Sequence, residues 1–344
     1  MHALVTGASG FVGSRLVARL TRNGHDVRAV VRRGLVGRNG ADACCQRVRG
    51  DVTDAESLRR AARGCDVVFH CAWGGSSLAE ARRINVQGTR NVIEAAARAG
   101  VRRVVHLSTM AVHGRRLPDI LTEEYPLVFR GDAYGVSKAE GERAAFEIGS
   151  SLGVGVVALR PTLVYGPRAP LWVLAYFDRT RREQVALIRD GSGLANLVYV
   201  DDLVEAMLSA ATADVAGEAF LISGAHPITW REYIGHFAAM CGKPLPPSVP
   251  LWRAWIEVQW LRVYGTLAQR PRRLVGMDLD LMPLRTAVSI AKAERLLGYS
   301  PRFSLHEGMA ECAAWLQMEG HLPPSQRASA PSGTRPDRIS TSTP

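Results

Sequence analysis

Three glycines constrain this chain more than any other feature. Gly7, Gly10 and Gly13 stand in Thr6-Gly7-Ala8-Ser9-Gly10-Phe11-Val12-Gly13, spaced Gly-x-x-Gly-x-x-Gly. An apolar, strand-like run at 3–6 precedes them. A segment of helical period, 11–23, follows with Leu16, Val17 and Leu20 on one side. A tight turn from strand to helix aims backbone N–H groups and the positive end of the helix dipole at one point, which suits a diphosphate. A side chain at Gly10 would obstruct that approach, and a bare Gly13 lets the helix pack close to the strand.

The rest of the first half repeats the strand-then-helix rhythm. Strands are expected at 27–31, around Val48, and at 67–70, 104–108 and 154–159, with helices at 57–62, 84–99 and 134–152. Such alternation builds a parallel sheet with helices on both faces, and right-handed crossovers make it doubly wound, the Rossmann arrangement. The fold class is therefore α/β, a doubly wound parallel sheet with a smaller C-terminal substrate-binding lobe. The dinucleotide-binding domain is expected over 1–165, with 196–223 returning to it. The lobe takes 166–195 and 224–322. In the second half a helix is expected at 171–182, a strand at 197–200, a helix at 202–211, a strand at 220–222 and a helix at 230–241. From Pro323 onward the chain is rich in Pro, Ser, Thr and Arg and reads as a disordered tail.

Composition narrows the function classes. With 47% hydrophobic and 22% charged residues in 344, the chain has ordinary globular character. No uncharged apolar run reaches the ~18 residues a membrane helix needs. Met1–Thr6 runs straight into the glycine turn without the layout of a signal peptide. Six cysteines, at 44, 45, 65, 71, 241 and 312, show no Cys-x-x-Cys spacing and no partnership with histidine. They read as reduced thiols of a cytoplasmic protein, and no metal site is expected. The net charge of +11 comes from scattered arginines, with only three lysines, and no nucleic-acid motif accompanies it. A solvated basic surface with an anionic cofactor accounts for it.

The end of the second strand bears on which cofactor. It reads Val30-Val31-Arg32-Arg33, without the carboxylate that holds the ribose hydroxyls of NAD. Two guanidiniums suit a 2′-phosphate, so NADP(H) is preferred over NAD(H).

Tyr134-Gly135-Val136-Ser137-Lys138 opens a predicted helix, and a spacing of four puts Tyr134 and Lys138 on one face. A free phenol, with a pKa near 10, is a poor proton donor and acceptor at neutral pH. A neighbouring ammonium is expected to lower that value.

The glycine triplet, the Tyr-x-x-x-Lys and their separation resemble the extended short-chain dehydrogenase/reductases, also called the NAD-dependent epimerase/dehydratase family. Further ordered matches cover about 320 residues: Gly50-Asp51-Val52-Thr53-Asp54, Val68-Phe69-His70-Cys71-Ala72, Asn85-Val86-Gln87-Gly88-Thr89, Leu107-Ser108-Thr109-Met110-Ala111-Val112-His113-Gly114, Leu159-Arg160-Pro161-Thr162-Leu163-Val164-Tyr165-Gly166-Pro167, Val198-Tyr199-Val200-Asp201-Asp202 and Leu297-Gly298-Tyr299-Ser300-Pro301. The resemblance implies hydride transfer between a nicotinamide and a carbonyl or carbinol carbon. It makes Tyr134 the proton donor or acceptor, gives Lys138 the tuning of Tyr134 and the nicotinamide ribose, and makes Thr109, rather than Ser108, the hydroxyl that holds the substrate oxygen. By position it implies cofactor contacts from Gly7, Ser9, Gly10, Phe11, Val12, Arg32, Arg33, Asp51, Val52, Cys71, Ala72, Pro161 and Val164. Trp73, Met110, His113 and Thr162 are candidates to meet the substrate, although packing is the preferred reading of His113. By analogy a homodimer forms through the helices at 84–99 and 134–152.

Departures from the family pattern bear on the substrate. Met110 and Ala111 follow Thr109 where dehydratases of the family carry an acid pair. Gly193-Leu194-Ala195-Asn196-Leu197 lacks the arginine with which sugar-nucleotide epimerases hold a diphosphate, and Leu163 replaces an asparagine. Arg168 is a candidate to compensate. These losses favour a fairly apolar small molecule, with a sugar-nucleotide epimerase or ketoreductase as the alternative and a non-catalytic cofactor sensor as a minor one. The segment 250–264 is amphipathic at helical period, with Trp252, Trp255, Ile256, Trp260 and Val263 sharing a side. A core-packing or dimer helix is the preferred reading; a pocket wall and a membrane-surface helix are the alternatives.

Overall fold

The computed structural model describes residues 1–32, 45–264 and 276–322, with the backbone alone for 261–264. Arg33, Val263's side chain and the 323–344 tail fall outside the described residues.

Seven parallel strands form the central sheet. Their ranges are β1 (His2–Thr6), β2 (Asp26–Val31), β3 (Gln46–Arg49), β4 (Val67–His70), β5 (Arg103–Leu107), β7 (Gly155–Pro161) and β11 (Ala219–Ile222), in the spatial order β11-β7-β5-β4-β1-β2-β3. Short pairs complete the strands: β6 (Ile120–Leu121) with β13 (Ala287–Val288), β8 (Leu163–Tyr165) with β10 (Leu197–Tyr199), and β9 (Leu187–Ile188) with β12 (Ser248–Val249). The strand order reverses between β1 and β4, and a crevice opens there at the carboxyl ends of the strands.

Alternation along each strand fills two separate layers. Ala3, Val5, Val67, Phe69, Val105 and Val157 face α1 (Phe11–Arg22) and α7 (Val200–Thr212), meeting Leu16, Leu20, Leu203 and Met207. Leu4, Val30, Val68, Val104 and Val156 face the other way. They meet Leu58 of α2 (Ala55–Ala62), Ile93 of α4 (Gly88–Arg98) and Ala145 of α5 (Ala133–Leu152). Each such aliphatic side chain contributes roughly 1.5–3 kcal/mol on burial.

The helix expected at 84–99 starts differently. A short α3 (Leu78–Arg82) runs into a π-helical turn, Arg83–Gln87, before α4 begins. Asn85 sits in that turn. Its side chain bonds the Gly74 N–H and C=O at 3.0 and 3.2 Å and donates to Ser137 Oγ at 3.0 Å. Those tertiary partners reward the wider turn. Gly141 of α5 lets the two helices close, since a Cβ there would overlap the Asn85 carbonyl. The helix expected at 171–182 likewise opens with a π-helical stretch, Pro170–Ala175, followed by α6 (Tyr176–Arg181).

The second half holds a third apolar cluster, dominated by aromatic rings. Trp230, Tyr233 and Phe237 of α8 (Trp230–Met240) pack on Tyr176 and Phe177 of α6 and on Tyr165. The next helix, α9 (Leu251–Tyr264), corrects the core-packing reading. Among its described side chains Ala254 and Val258 are buried, whereas Trp252, Trp255, Ile256 and Trp260 are 66, 57, 52 and 46% exposed. Both faces of α9 are apolar, and the narrower one packs inward. Ahead of α10 (Gly276–Leu281), which packs against α9, the 265–275 segment is not described.

Candidate active site

The glycine turn folds as its spacing requires. Gly7 takes φ +67°, and a Cβ there would lie 2.6 Å from the Ala72 nitrogen. Gly10 N–H closes the turn on the Gly7 carbonyl at 2.9 Å, and a Cβ on Gly13 would overlap that same carbonyl. No side chain caps α1 at Gly10, and no acidic residue occupies its first turn. The first N–H groups and the positive helix end therefore face a cleft of ≈ 1010 Å³ that Gly7, Ser9, Gly10, Phe11 and Val12 line.

One end of this cleft is built from β2, β3 and the π turn. Arg32, Asp51, Val52 and Arg83 line it. Burial pushes the Asp51 carboxyl up, but two bonds from Thr53 and the charges of Arg32 and Arg83 outweigh it and hold Asp51 below its ordinary range. Arg83 is not expected from the sequence, whose helical period begins at Ile84. Cys71, Ala72, Pro161 and Val164 line the middle of the cleft, and burial lifts the Cys71 thiol to about 12.

Tyr134, Lys138 and Thr109 converge at the other end. Asp132 caps α5, accepting from Gly135 N–H at 2.8 Å, and so fixes where Tyr134 begins the helix. Thr109 caps the short 3₁₀ turn Met110–His113 after β5. Lys138 is 4% exposed and donates to the Leu107 carbonyl at 2.5 Å. Burial lowers its ammonium to about 8, against the opposing pull of Glu142. The Tyr134 ring is 39% exposed and meets Trp73 edge-on at 5.4 Å. Its phenol is displaced upward. Burial is the largest cause, a hydrogen bond with Thr109 opposes it, and Asp132 adds to it. The expected lowering by Lys138 is thus not the net result: that ammonium is engaged by the Leu107 carbonyl, and burial dominates at the phenol.

Ser108 is spoken for. Its hydroxyl donates to buried Glu142 at 2.5 Å, and Glu142 also takes Arg160 at 2.5 Å. His113 belongs to this buried group. Its Nε2 lies 3.2 Å from Arg160 and its Nδ1 3.3 Å from the Pro126 carbonyl. Burial and Arg160 lower its pKa. It does not line the cleft, unlike Trp73, Met110 and Thr162, so His113 is withdrawn as a substrate contact. Glu142, at i+4 from Lys138 and i+8 from Tyr134, was discoverable from helical spacing.

Leu117, Leu171, Trp172, Met277, Leu281 and Leu284 close the cleft. Arg115 lies among them, but Asp280 and Asp132 both pair with it, the latter at 3.5 Å. Neither Arg168 nor the 193–197 segment lines the cleft, and neither does the described part of α9.

The profile of the NAD dependent epimerase/dehydratase family matches residues 3–223. This chain belongs to that family. It is an enzyme of the extended short-chain dehydrogenase/reductase type. It is 30% identical over 336 residues to a 3-beta-hydroxysteroid dehydrogenase of Mycolicibacterium neoaurum, covering 90% of each chain. It is 29% identical to a 4-hydroxy-2-methyl-3-oxo-4-farnesyl-3,4-dihydroquinoline-1-oxide ketoreductase of Stigmatella aurantiaca, covering 90% of this chain and 95% of that one. Among solved structures, MoeE5 in complex with UDP-glucose and NAD matches with a TM-score of 0.72 and 28% identity, over 93% of this chain and 99% of that one.

Proposed function

We propose that this enzyme moves a hydride between NADP(H) and a carbonyl or secondary alcohol of a fairly apolar small molecule. One observation carries the reading. Tyr134 and Thr109 stand where the glycine-lined part of the cleft meets an apolar wall, and Arg115, the one guanidinium on that wall among the described residues, is engaged by two carboxylates. Hydroxysteroid dehydrogenase and ketoreductase relatives agree with it.

The residues fit a dinucleotide. Gly10 faces the cleft without a Cβ, and the uncapped start of α1 favours a diphosphate. Arg32, with Arg33 beside it in sequence, would hold a 2′-phosphate, a preference for NADP that differs from the NAD of MoeE5. When bound, the nicotinamide supplies or accepts the hydride. Thr109 donates to the substrate oxygen. Tyr134 gives that oxygen a proton in reduction and takes it back in oxidation. Lys138, still largely an ammonium at neutral pH, holds the ribose hydroxyls beside Tyr134 and stabilises the phenolate as it forms. The domain boundaries at 165, 195 and 223, work in the cytoplasm, and a homodimer through α4 and α5 complete the proposal.

The test is NADPH and NADH turnover with a panel of carbonyl compounds. Tyr134→Phe should abolish turnover and leave NADPH affinity within about twofold. Retained turnover overturns the assignment of Tyr134. The MoeE5 likeness favours a second reading, a sugar-nucleotide epimerase or ketoreductase. Calorimetric binding of UDP would support that reading over the apolar one.

A further inference from the structure

We propose that Glu142 is a positioning residue of the active site: its one buried carboxylate ties the ends of β5 and β7 to α5, fixes Thr109 relative to Tyr134, and supplies the counter-charge of Lys138. The inference rests on the function proposed above. Tyr134, Lys138 and Glu142 stand at i, i+4 and i+8 on one face of α5. That face runs inward from the cleft, since Tyr134 is part-exposed, Lys138 nearly buried and Glu142 fully buried. The last pair of the β5–β7 ladder is Leu107 with Leu159. The next residue of each strand, Ser108 and Arg160, turns its side chain to Glu142. Ser108 Oγ donates to Glu142 Oε2 at 2.5 Å. Arg160 donates from Nη2 to Oε1 at 2.5 Å and from Nε to the two oxygens at 3.1 and 3.2 Å. Thr109 and Pro161 follow directly in sequence, and both line the cleft.

Stability alone does not account for such a group. A buried ion pair recovers its desolvation cost only when fully bonded, and apolar side chains of similar volume often serve stability as well. Apolar packing is non-directional, whereas these bonds fix the angle at which Ser108 hands the chain on to Thr109. Charge gives Glu142 its second task. The Lys138 ammonium is faced by the Leu107 carbonyl and by the Cys71 thiol, which burial keeps protonated. His70 and His106, on β4 and β5, are buried and neutral beside it. Among the described residues Glu142 is thus the anion that acts on Lys138. Arg160 and His113 are the groups that act on Glu142 from β7 and from the 3₁₀ turn.

Two readouts on the full chain test this, one of them independent of turnover. The chain has only three lysines, so labelling lysine with carbon-13 gives three titrations by NMR, and Lys138→Met identifies the signal of Lys138. In the parent that signal should titrate at about 8. Glu142→Gln should lower the midpoint by about one pH unit or more and move the alkaline limb of kcat with it. It should cut kcat about thirtyfold while KM stays within about threefold. Ser108→Ala keeps the buried ion pair. It should leave the Lys138 midpoint and NADPH affinity unchanged and still cut kcat about tenfold. Circular dichroism confirms the fold of each variant. If the single change strands Arg160 and unfolds the chain, Glu142→Gln/Arg160→Met carries the same expectations. Parental kcat in folded Ser108→Ala overturns the proposal, as does a parental Lys138 midpoint in a folded Glu142 variant. A parent that reduces no carbonyl compound overturns the proposed function instead, and the lysine titration then decides the part of Glu142.

Discussion

Lys138 is nearly buried, and its ammonium has been lowered from 10.5 to about 8. At roughly 1.4 kcal/mol per unit, keeping it charged at neutral pH costs the fold on the order of 3 kcal/mol. The sign follows from proton counting. The unfolded chain binds more protons than the folded one between about 8 and 10.5, so this group makes stability rise with pH across that window. Lys138→Met should therefore raise the melting temperature at pH 7 and abolish turnover. Its advantage over the parent should shrink as pH approaches 10.5; thermal scans of both proteins across pH check this, and a pH-independent difference would refute the buried ammonium. The residue types of the site were legible in sequence because Tyr-x-x-x-Lys carries its own geometry on a helix. The direction of the Tyr134 shift was not, since it depends on burial and on where the Lys138 ammonium points. The buried setting of His113 agrees with its packing reading, but its partners were not legible, because Arg160 and Glu142 are distant in sequence.

At the scale of elements, the first strand–turn–helix is held by close backbone contact. A methyl on Gly13 must push α1 away from the Gly7 carbonyl. Gly13→Ala should cost about 1–3 kcal/mol in denaturant unfolding, as overpacking does. It should also weaken NADPH at least about tenfold in a fluorescence titration, because the start of α1 moves with it. Native-like affinity would mean the turn does not read the cofactor. The sheet strands were legible because short apolar runs, buried on both faces, alternate with segments of helical period. The π turn at Arg83–Gln87 was not, because Asn85 earns it only through Gly74 and Ser137. The orientation of α9 was missed for another reason. Leu251, Ala254 and Val258 form a second apolar stripe opposite the tryptophans, and helical period alone does not say which stripe turns inward.

For the molecule as a whole, cofactor binding is coupled to global stability. A ligand held only by the folded state at a hundred times its Kd adds about 2.7 kcal/mol. At equal concentrations NADPH should therefore raise the melting temperature more than NADH, and Arg32→Ser should erase most of the difference. Equal shifts in the parent would overturn the NADP preference. The strand order gives this a longer consequence. Arg32 and Asp51 lie on the β1-β2-β3 wing, whereas Thr109 follows β5 and Tyr134 belongs to the helix leading into β7, across the reversal of the sheet. Under the proposed function, coenzyme choice and proton handling fall on opposite wings. A designer, or natural drift, can rewrite the currency in which this catalyst draws electrons by editing one wing, while the wing that touches the reactant keeps its shape.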